Sequence, residues 1–298
     1  MKGILNILKP PNMTSHDVVS FVRRKLNIKK VGHTGTLDPM AVGVLPICIG
    51  KATKIIEYMQ SDTKAYRGEL TLGASTDTQD RWGNIISTTD KKVAKEDIIN
   101  IFNAFIGKQL QIPPMYSALK YKGKKLYELA REGKEVEREA REIFIYHLNI
   151  LRIVENRVLF DVKCSKGTYI RTLCHDIAKA LDTDGHMSFL ARLESGLFEI
   201  ENSITLEELA EADINTIKNQ YLYNIDYPLK NIPRADIALS ASKATINGVP
   251  IREKDFKLSS KINNKDIVRL YIDDRFMGLG IYNKGKDASF IKIKKIFV

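Results

Sequence analysis

Cysteine is scarce in this 298-residue chain, and Cys48, Cys164 and Cys174 are odd in number with no C-x-x-C spacing. That arithmetic argues against a disulfide framework and against a cysteine zinc site, leaving small core residues as the expectation. Histidine is almost as sparse. His16, His33, His147, His175 and His186 form no H-E-x-x-H or comparable ligand pair, so metal catalysis has no support. No G-x-G-x-x-G points to a dinucleotide cofactor, and GVLPICIGKAT fails as a P-loop because its glycines are seven apart and Ala52 follows Lys51. Long apolar runs are missing too. Lys9, Pro10 and Pro11 cut short the opening MKGILNILKPP, so neither a signal peptide nor a membrane span is expected, and a cytoplasmic location is.

Positive charge is what the chain has in surplus, with 47 Lys and Arg against 36 Asp and Glu and a formal net charge of +11. A surplus of that size favours a polyanionic partner over a neutral small substrate, with a membrane surface as the rival polyanion. The 44% hydrophobic content suffices for a packed core, and the length predicts one large domain plus a small one.

One stretch organises the rest: Gly32 to Lys54, GHTGTLDPMAVGVLPICIGKATK. Gly32 and Gly35 flank His33 and Thr34 and allow unusual backbone angles, while Pro39 pushes Asp38 away from helical geometry. Val42, Val44, Leu45, Ile47, Cys48 and Ile49 then read as a buried strand. By local grammar Asp38-Pro39 is an ordinary turn initiator. A carboxylate beside a buried strand, however, is costly unless paired.

Upstream, Ile4 to Leu8 predicts a first strand, and the Thr14/Asp17 pair predicts a helix from Ser15 carrying Val18, Val19, Val22 and Leu26. Downstream, the pattern predicts a helix over Lys51–Met59, a strand over Lys64–Gly73 with Tyr66 facing the same way as Leu70 and Leu72, and an amphipathic helix over Ala94–Ile106. Residues 111–136 interleave Tyr116, Tyr121 and Tyr127 with Lys120, Lys122, Lys124 and Lys125, a mixture suited to unpaired nucleotides. Strands follow at Ile143–Ile153 and Val158–Cys164. In SKGTYIRTLCHDIAKAL, Arg171 falls near a helix start, where a cation opposes the dipole and requires an anion. Beyond Pro233 the pattern changes to short strands at Ile237–Leu239, Ile267–Ile272, Met277–Tyr282 and Phe290–Val298.

Several of these strings, LKPPNMTSHDVV, the HTG-x-LDP loop, K-x-Y-R at Lys64 to Arg67, Leu72 to Asp80, and HMSFLARL, resemble the TruB family, the bacterial synthases that convert uridine 55 in the tRNA T arm to pseudouridine. The resemblance implies an α+β fold. A pseudouridine synthase catalytic domain, with a mixed, largely antiparallel sheet flanked by helices, would span 1–230, and a small all-β PUA-like RNA-binding domain would span 231–298. It also implies roles: Asp38 as nucleophile, Arg171 as its ion-pair partner, Tyr66 and Tyr169 against the target base, Leu190 at the apolar wall of its pocket, and His33 filling the space left by the flipped nucleotide. Residues 111–136 resemble the insertion with which the family grips the T loop. No cofactor or metal, no obligatory protein partner and a monomer are the corresponding expectations. Two rivals stand beside this reading: a non-catalytic RNA-binding or tRNA-folding protein, and a synthase dependent on a guide RNA, which the Tyr/Lys insertion disfavours.

Overall fold

A computed structural model describes residues 1–59, 63–285 and 288–298. The opening apolar run forms β1 (Gly3–Lys9), and the Thr14/Asp17 capping box opens α1 (Ser15–Leu26), with each side chain bonded to the other's backbone. β2 (Val31–His33) and β3 (Val42–Ile49) bracket the Asp38 loop. The helix expected over Lys51–Met59 is instead a 3-10 segment, Gly50–Ile55, closed by one α-turn, α2 (Ile56–Met59). Its two buried side chains, Ala52 and Ile55, are three apart, the spacing that a three-residue turn brings into line.

β4 (Lys64–Leu72) leads into the hairpin of β5 (Ala74–Thr76) and β6 (Ile85–Thr88), then α3 (Lys95–Ala104) and β7 (Gly107–Gln111). The Tyr/Lys insertion folds as the two-residue strands β8 (Lys120–Tyr121) and β9 (Lys124–Lys125) and the helix α4 (Leu126–Arg131). β10 (Arg141–Val154), β11 (Arg157–Cys164), α5 (Ile170–Ala180) and β12 (Gly185–Ser195) follow. Short elements close this part: β13 (Phe198–Glu199), α6 (Leu206–Glu211), α7 (Ile214–Thr216) and β14 (Leu222–Tyr223).

The strands of the large sheet lie in the order β14-β1-β3-β12-β4-β11-β10-β7, with β2 against β3 and β13 against β12. Neighbours run antiparallel except β12 and β3, which pair in parallel at Ala191–Val42 and Arg192–Gly43. The glycine that matters lies at this seam. Neither Gly32 nor Gly35 has a positive φ, contrary to expectation; Gly43 does, at 111°, and a Cβ there would sit 2.2 Å from the Arg192 carbonyl oxygen. Only a residue without a side chain lets the two halves of the sheet close at that point.

β1 and β3 are buried on both faces, which explains their nearly unbroken apolar sequence. Leu5, Ile7, Leu45, Ile47 and Ile49 join the main core with α1, while Ile4, Val44 and Cys48 face a second core that includes Leu279 and Phe297. Those two residues belong to the C-terminal part, a six-stranded sheet of β15 (Arg234–Ile237), α8 (Ser242–Ile246) as its one short α-helix, β16 (Ile251–Arg252), β17 (Phe256–Leu258), β18 (Ile267–Ile272), β19 (Arg275–Asn283) and β20 (Phe290–Ile296). The strand expected at Ile237–Leu239 lies a few residues earlier, because Leu239–Ala241 turns into a 3-10 segment that leaves Leu239 exposed. All three cysteines are free and buried, and burial pushes the Cys48 thiol up to about 12.

Candidate active site

The site forms where the parallel seam meets the N-terminus of α5. Asp38 sits on the loop between β2 and β3, its side chain 41% exposed, and the buried Arg171 guanidinium reaches it from the first turn of α5. The Arg171 Nε–H faces Asp38 Oδ2 at 3.0 Å, and Nη2 approaches Oδ1 at 3.5 Å. The anion that a helix-opening cation requires is therefore this carboxylate, in two-point contact with the planar fork.

Arg171 ties three loops together. Beyond Asp38, its Nη1 donates to the Thr78 carbonyl at 3.2 Å and lies 3.7 Å from Asp80, and its Nη2 donates to the Tyr116 carbonyl at 2.8 Å. The 78–80 turn and the root of the insertion are thus fixed relative to Asp38. Asp80 is a second carboxylate at the site, while Asp77, which reads alike in sequence, is occupied by Asn84 at 2.9 and 3.1 Å.

The loop itself is held at alternate residues by groups beneath it. Arg192 donates to the Gly35 carbonyl at 3.1 Å and to the Val44 carbonyl at 2.7 Å. The Ser15 hydroxyl accepts from Leu37 N–H at 2.8 Å and donates to its carbonyl at 3.2 Å. Lys9 donates to the carbonyls of Pro10, Met13 and Pro39 at 2.8, 2.6 and 3.0 Å. Lys9 is completely buried and Arg192 is 1% exposed. Burial is the chief cause that lowers both pKa values, bringing Lys9 to about 8.

Sequence reading missed these three anchors, since a lysine, an arginine and a serine read as surface or cap. The available signal was period-two spacing: Leu5, Ile7 and Lys9 share one strand face, and so do Leu190 and Arg192 apart from a bulge just beyond.

The other expected residues surround this centre. Tyr66 pairs with Arg192 across β4 and β12, and its hydroxyl lies against the Arg192 guanidinium; burial raises its pKa, and Arg192 opposes the rise. Leu190, opposite Gly68, packs in the same core as Tyr66, and both are under 10% exposed. Tyr169 is the N-cap of α5, its backbone held at both ends by Gln111 at 2.8 and 3.1 Å. Its phenol pKa is raised by burial, with Ser117 opposing. His33 stands at the end of β2, the strand that leads into the Asp38 loop. Burial lowers its pKa, the neighbouring Arg192 and His16 lower it further, and its Nδ1 is buried without a partner. These shifts favour the uncharged imidazole, a flat ring that can stack.

No group of three or more metal-ligating side chains occurs among the described residues. What the arrangement offers is one half-exposed carboxylate on a loop held from below by three anchors, paired from the side with a guanidinium and close enough to Tyr66 and Tyr169 to act on their phenols. It can act as a nucleophile or as a base.

The same architecture recurs in known proteins. Residues 23–170 match the N-terminal domain model of the TruB family of pseudouridylate synthases, and residues 171–231 match the tRNA pseudouridylate synthase B C-terminal domain. The tRNA pseudouridine synthase B of Alkaliphilus oremlandii is 49% identical, covering 99% of this chain and 98% of its own length. That of Clostridioides difficile is 48% identical over the whole of both chains. Among solved structures, a chain of a Cbf5-Nop10-Gar1 complex superimposes with a TM-score of 0.78 at 29% identity, covering 99% of this chain and 85% of that one. The class is thus a pseudouridylate synthase with a mixed-sheet catalytic core. Within it, the chain belongs to the TruB family.

Proposed function

We propose that this enzyme isomerises uridine to pseudouridine at position 55 in the T loop of tRNA, with Asp38 as nucleophile on a flipped-out uridine. The observation that carries the reading is the half-exposed Asp38 carboxylate paired with a buried arginine on a loop anchored at Gly35, Leu37 and Pro39. The isomerisation breaks N1–C1′, turns the uracil and joins C5 to C1′; C5 gives up its proton and N1, freed from the sugar, takes one up. It adds no group and changes no oxidation state, so one carboxylate suffices and no cofactor is called for. Attack at C6, trapping of C1′ and removal of a sugar proton all require Asp38 within contact distance of the nucleotide.

Extruding the nucleotide costs a few kcal/mol, and stacking returns roughly 1–3 kcal/mol per base. In this account Tyr66 and Tyr169 lie against the base, Leu190 forms its apolar wall, and the His33 ring fills the vacated stack. Arg171 holds Asp38 in line. The insertion at 111–136 grips the T loop with rings and cations already in contact: Lys122 over Tyr121 at 5.4 Å, and Lys125 and Arg131 about Tyr127 at 5.3 and 5.5 Å. Residues 1–230 form the catalytic domain and 231–298 an RNA-binding one. The relatives' name, tRNA pseudouridine synthase B, supports tRNA as the substrate. We place the enzyme in the cytoplasm, acting as a monomer without a partner protein; no helix among the described residues is long and apolar enough to cross a membrane.

The test is to incubate the purified chain with unmodified tRNA and map the product. Pseudouridine at position 55 is the expected result. A chain inert until a guide RNA or second protein is added would contradict it.

A further inference from the structure

The single tryptophan of the chain, Trp82, is 45% exposed and belongs to no buried core among the described residues. It sits two residues beyond Asp80, whose carboxylate faces Arg171, so its backbone is within about 7 Å of a residue that touches the catalytic arginine. The turn that carries it is rigid. Trp82 N–H donates to Asp80 Oδ1 at 3.1 Å, Thr78 donates to the same oxygen at 2.7 Å, and Arg81 N–H donates to the Met187 carbonyl at 2.9 Å. Gly83 closes the turn so tightly that a Cβ would meet Thr78 Oγ1 at 2.2 Å. Thr172, next to Arg171 on α5, binds Gln79 in the same turn at 2.8 Å.

A large ring left in water on a rigid turn is unusual where the sequence could have placed a polar residue. Here it has company of one kind: the Arg81 guanidinium lies 5.7 Å from the ring centre. An exposed ring beside an exposed cation, at the edge of an RNA-modifying site, is the pair used to hold an unpaired nucleotide, the ring on its base and the cation at its phosphate. Because the turn is cross-tied by these bonds, little conformational freedom remains to be lost on binding.

We propose that Trp82 and Arg81 form a further RNA contact, in which the indole stacks on an unpaired base flanking the target uridine and Arg81 meets the adjoining phosphate. The inference rests on the reading of this site as one that modifies RNA. Of the positions singled out by sequence pattern alone, none includes Trp82; the structure assigns it through Asp80 and Arg171.

The lone tryptophan makes the test direct. Indole fluorescence of the full chain is followed while a T-arm stem-loop RNA is added, pseudouridine formation is measured in the same preparation, and Kd is obtained by filter binding for the wild type, Trp82→Phe, Trp82→Ala and Arg81→Ala. The emission is expected to be quenched with a midpoint at the filter-binding Kd. Trp82→Ala is expected to raise Kd about 5- to 150-fold, the range that one base stack spans, while Trp82→Phe, which keeps a ring, stays within about threefold. Arg81→Ala should lower the slope of log K against log salt by about one phosphate contact. Unchanged emission at saturating RNA together with a wild-type Kd in Trp82→Ala would overturn the contact; if pseudouridine still forms, the functional reading stands without it. Quenching without any pseudouridine would support the contact and overturn the functional reading. Thermal melting of each variant separates a binding loss from a folding loss.

Discussion

Two loops meet at Arg171, and they are built in opposite ways. The Asp38 loop has buried anchors at Gly35, Leu37 and Pro39, a turn bond from Ala41 N–H to the Asp38 carbonyl, and an ion pair at its tip. The insertion at 111–136 is tied to the body near its start, where Tyr116 accepts from Arg171 and Gln111 holds the Tyr169 backbone, and beyond that it carries two-residue strands, a short helix and exposed charge pairs such as Lys124–Glu132. In the function proposed above, the difference separates two tasks. A group that reacts needs to be within fractions of an ångström of its target before the substrate arrives. A surface that grips a folded RNA gains from adjusting to it, and exposed ion pairs of this kind hold it only weakly.

Among substitutions that compare the two loops, the largest effect is expected from Arg171, which bonds to both. Arg171→Lys keeps the charge but loses the planar fork, so the carboxylate contact and the carbonyls of Thr78 and Tyr116 cannot all be served. The loss of one or two charge-assisted bonds predicts a fall of about 10- to 100-fold in single-turnover rate, with the fold intact. A wild-type rate in Arg171→Lys would make the pair structural.

A smaller effect sharpens the anchored side. Lys9 is held down to about 8, mainly by burial, with Asp38 opposing. Its folded pKa is below the unfolded one, so the unfolded chain binds more protons between about pH 8 and 10.5; the stability from this group is complete above that window and is lost as the pH falls through 8. Activity should move the other way. A neutral amine has two N–H donors for three carbonyls, and the Pro39 tether slackens, so the rate falls above about pH 8 while thermal stability does not. In Lys9→Met the rate should be low and flat across the same range. A wild-type profile in that variant would remove Lys9 from the loop's support.

The smallest effect belongs to the insertion. Removing Lys122 and Lys125 together should weaken stem-loop binding and reduce the slope of log K against log salt by about 0.7–0.9 per lost phosphate contact, leaving the pH profile unaltered. An unchanged slope would mean that these cations meet no phosphate.

How far the site was legible follows from the same contrast. Asp38 and Arg171 each stood out because each violates a local rule, one as a charge beside a buried strand and the other as a cation at a helix start; that they pair with each other was implied by the resemblance to the TruB family, not by either violation. The Thr14/Asp17 capping box and the alternation in β4 and β11 were legible because local chemistry alone decides them. Lys9, Ser15 and Arg192 were not, because their burial depends on strands far apart in sequence that close over them. Gly43 stayed hidden for that reason: its need for a bare Cα comes from the Arg192 backbone, 149 residues away, while Gly32 and Gly35, which look like the hinge, have ordinary angles. The 3-10 segment at 50–55 and the displaced strand near Ile237 show the same limit, since tertiary burial of Ala52 and Ile55 and the turn at Leu239 decided them.

The central claim is that an anchored loop presents one carboxylate for chemistry, and Asp38→Asn tests it most directly. The amide is nearly isosteric and still hydrogen-bonds, but it is a poor nucleophile and a poor base at pH 7. Single-turnover conversion of a T-arm stem-loop is measured beside binding of the same RNA. The account predicts that binding and thermal stability survive while pseudouridine formation is lost. Pseudouridine formed by Asp38→Asn at a rate near wild type would contradict it.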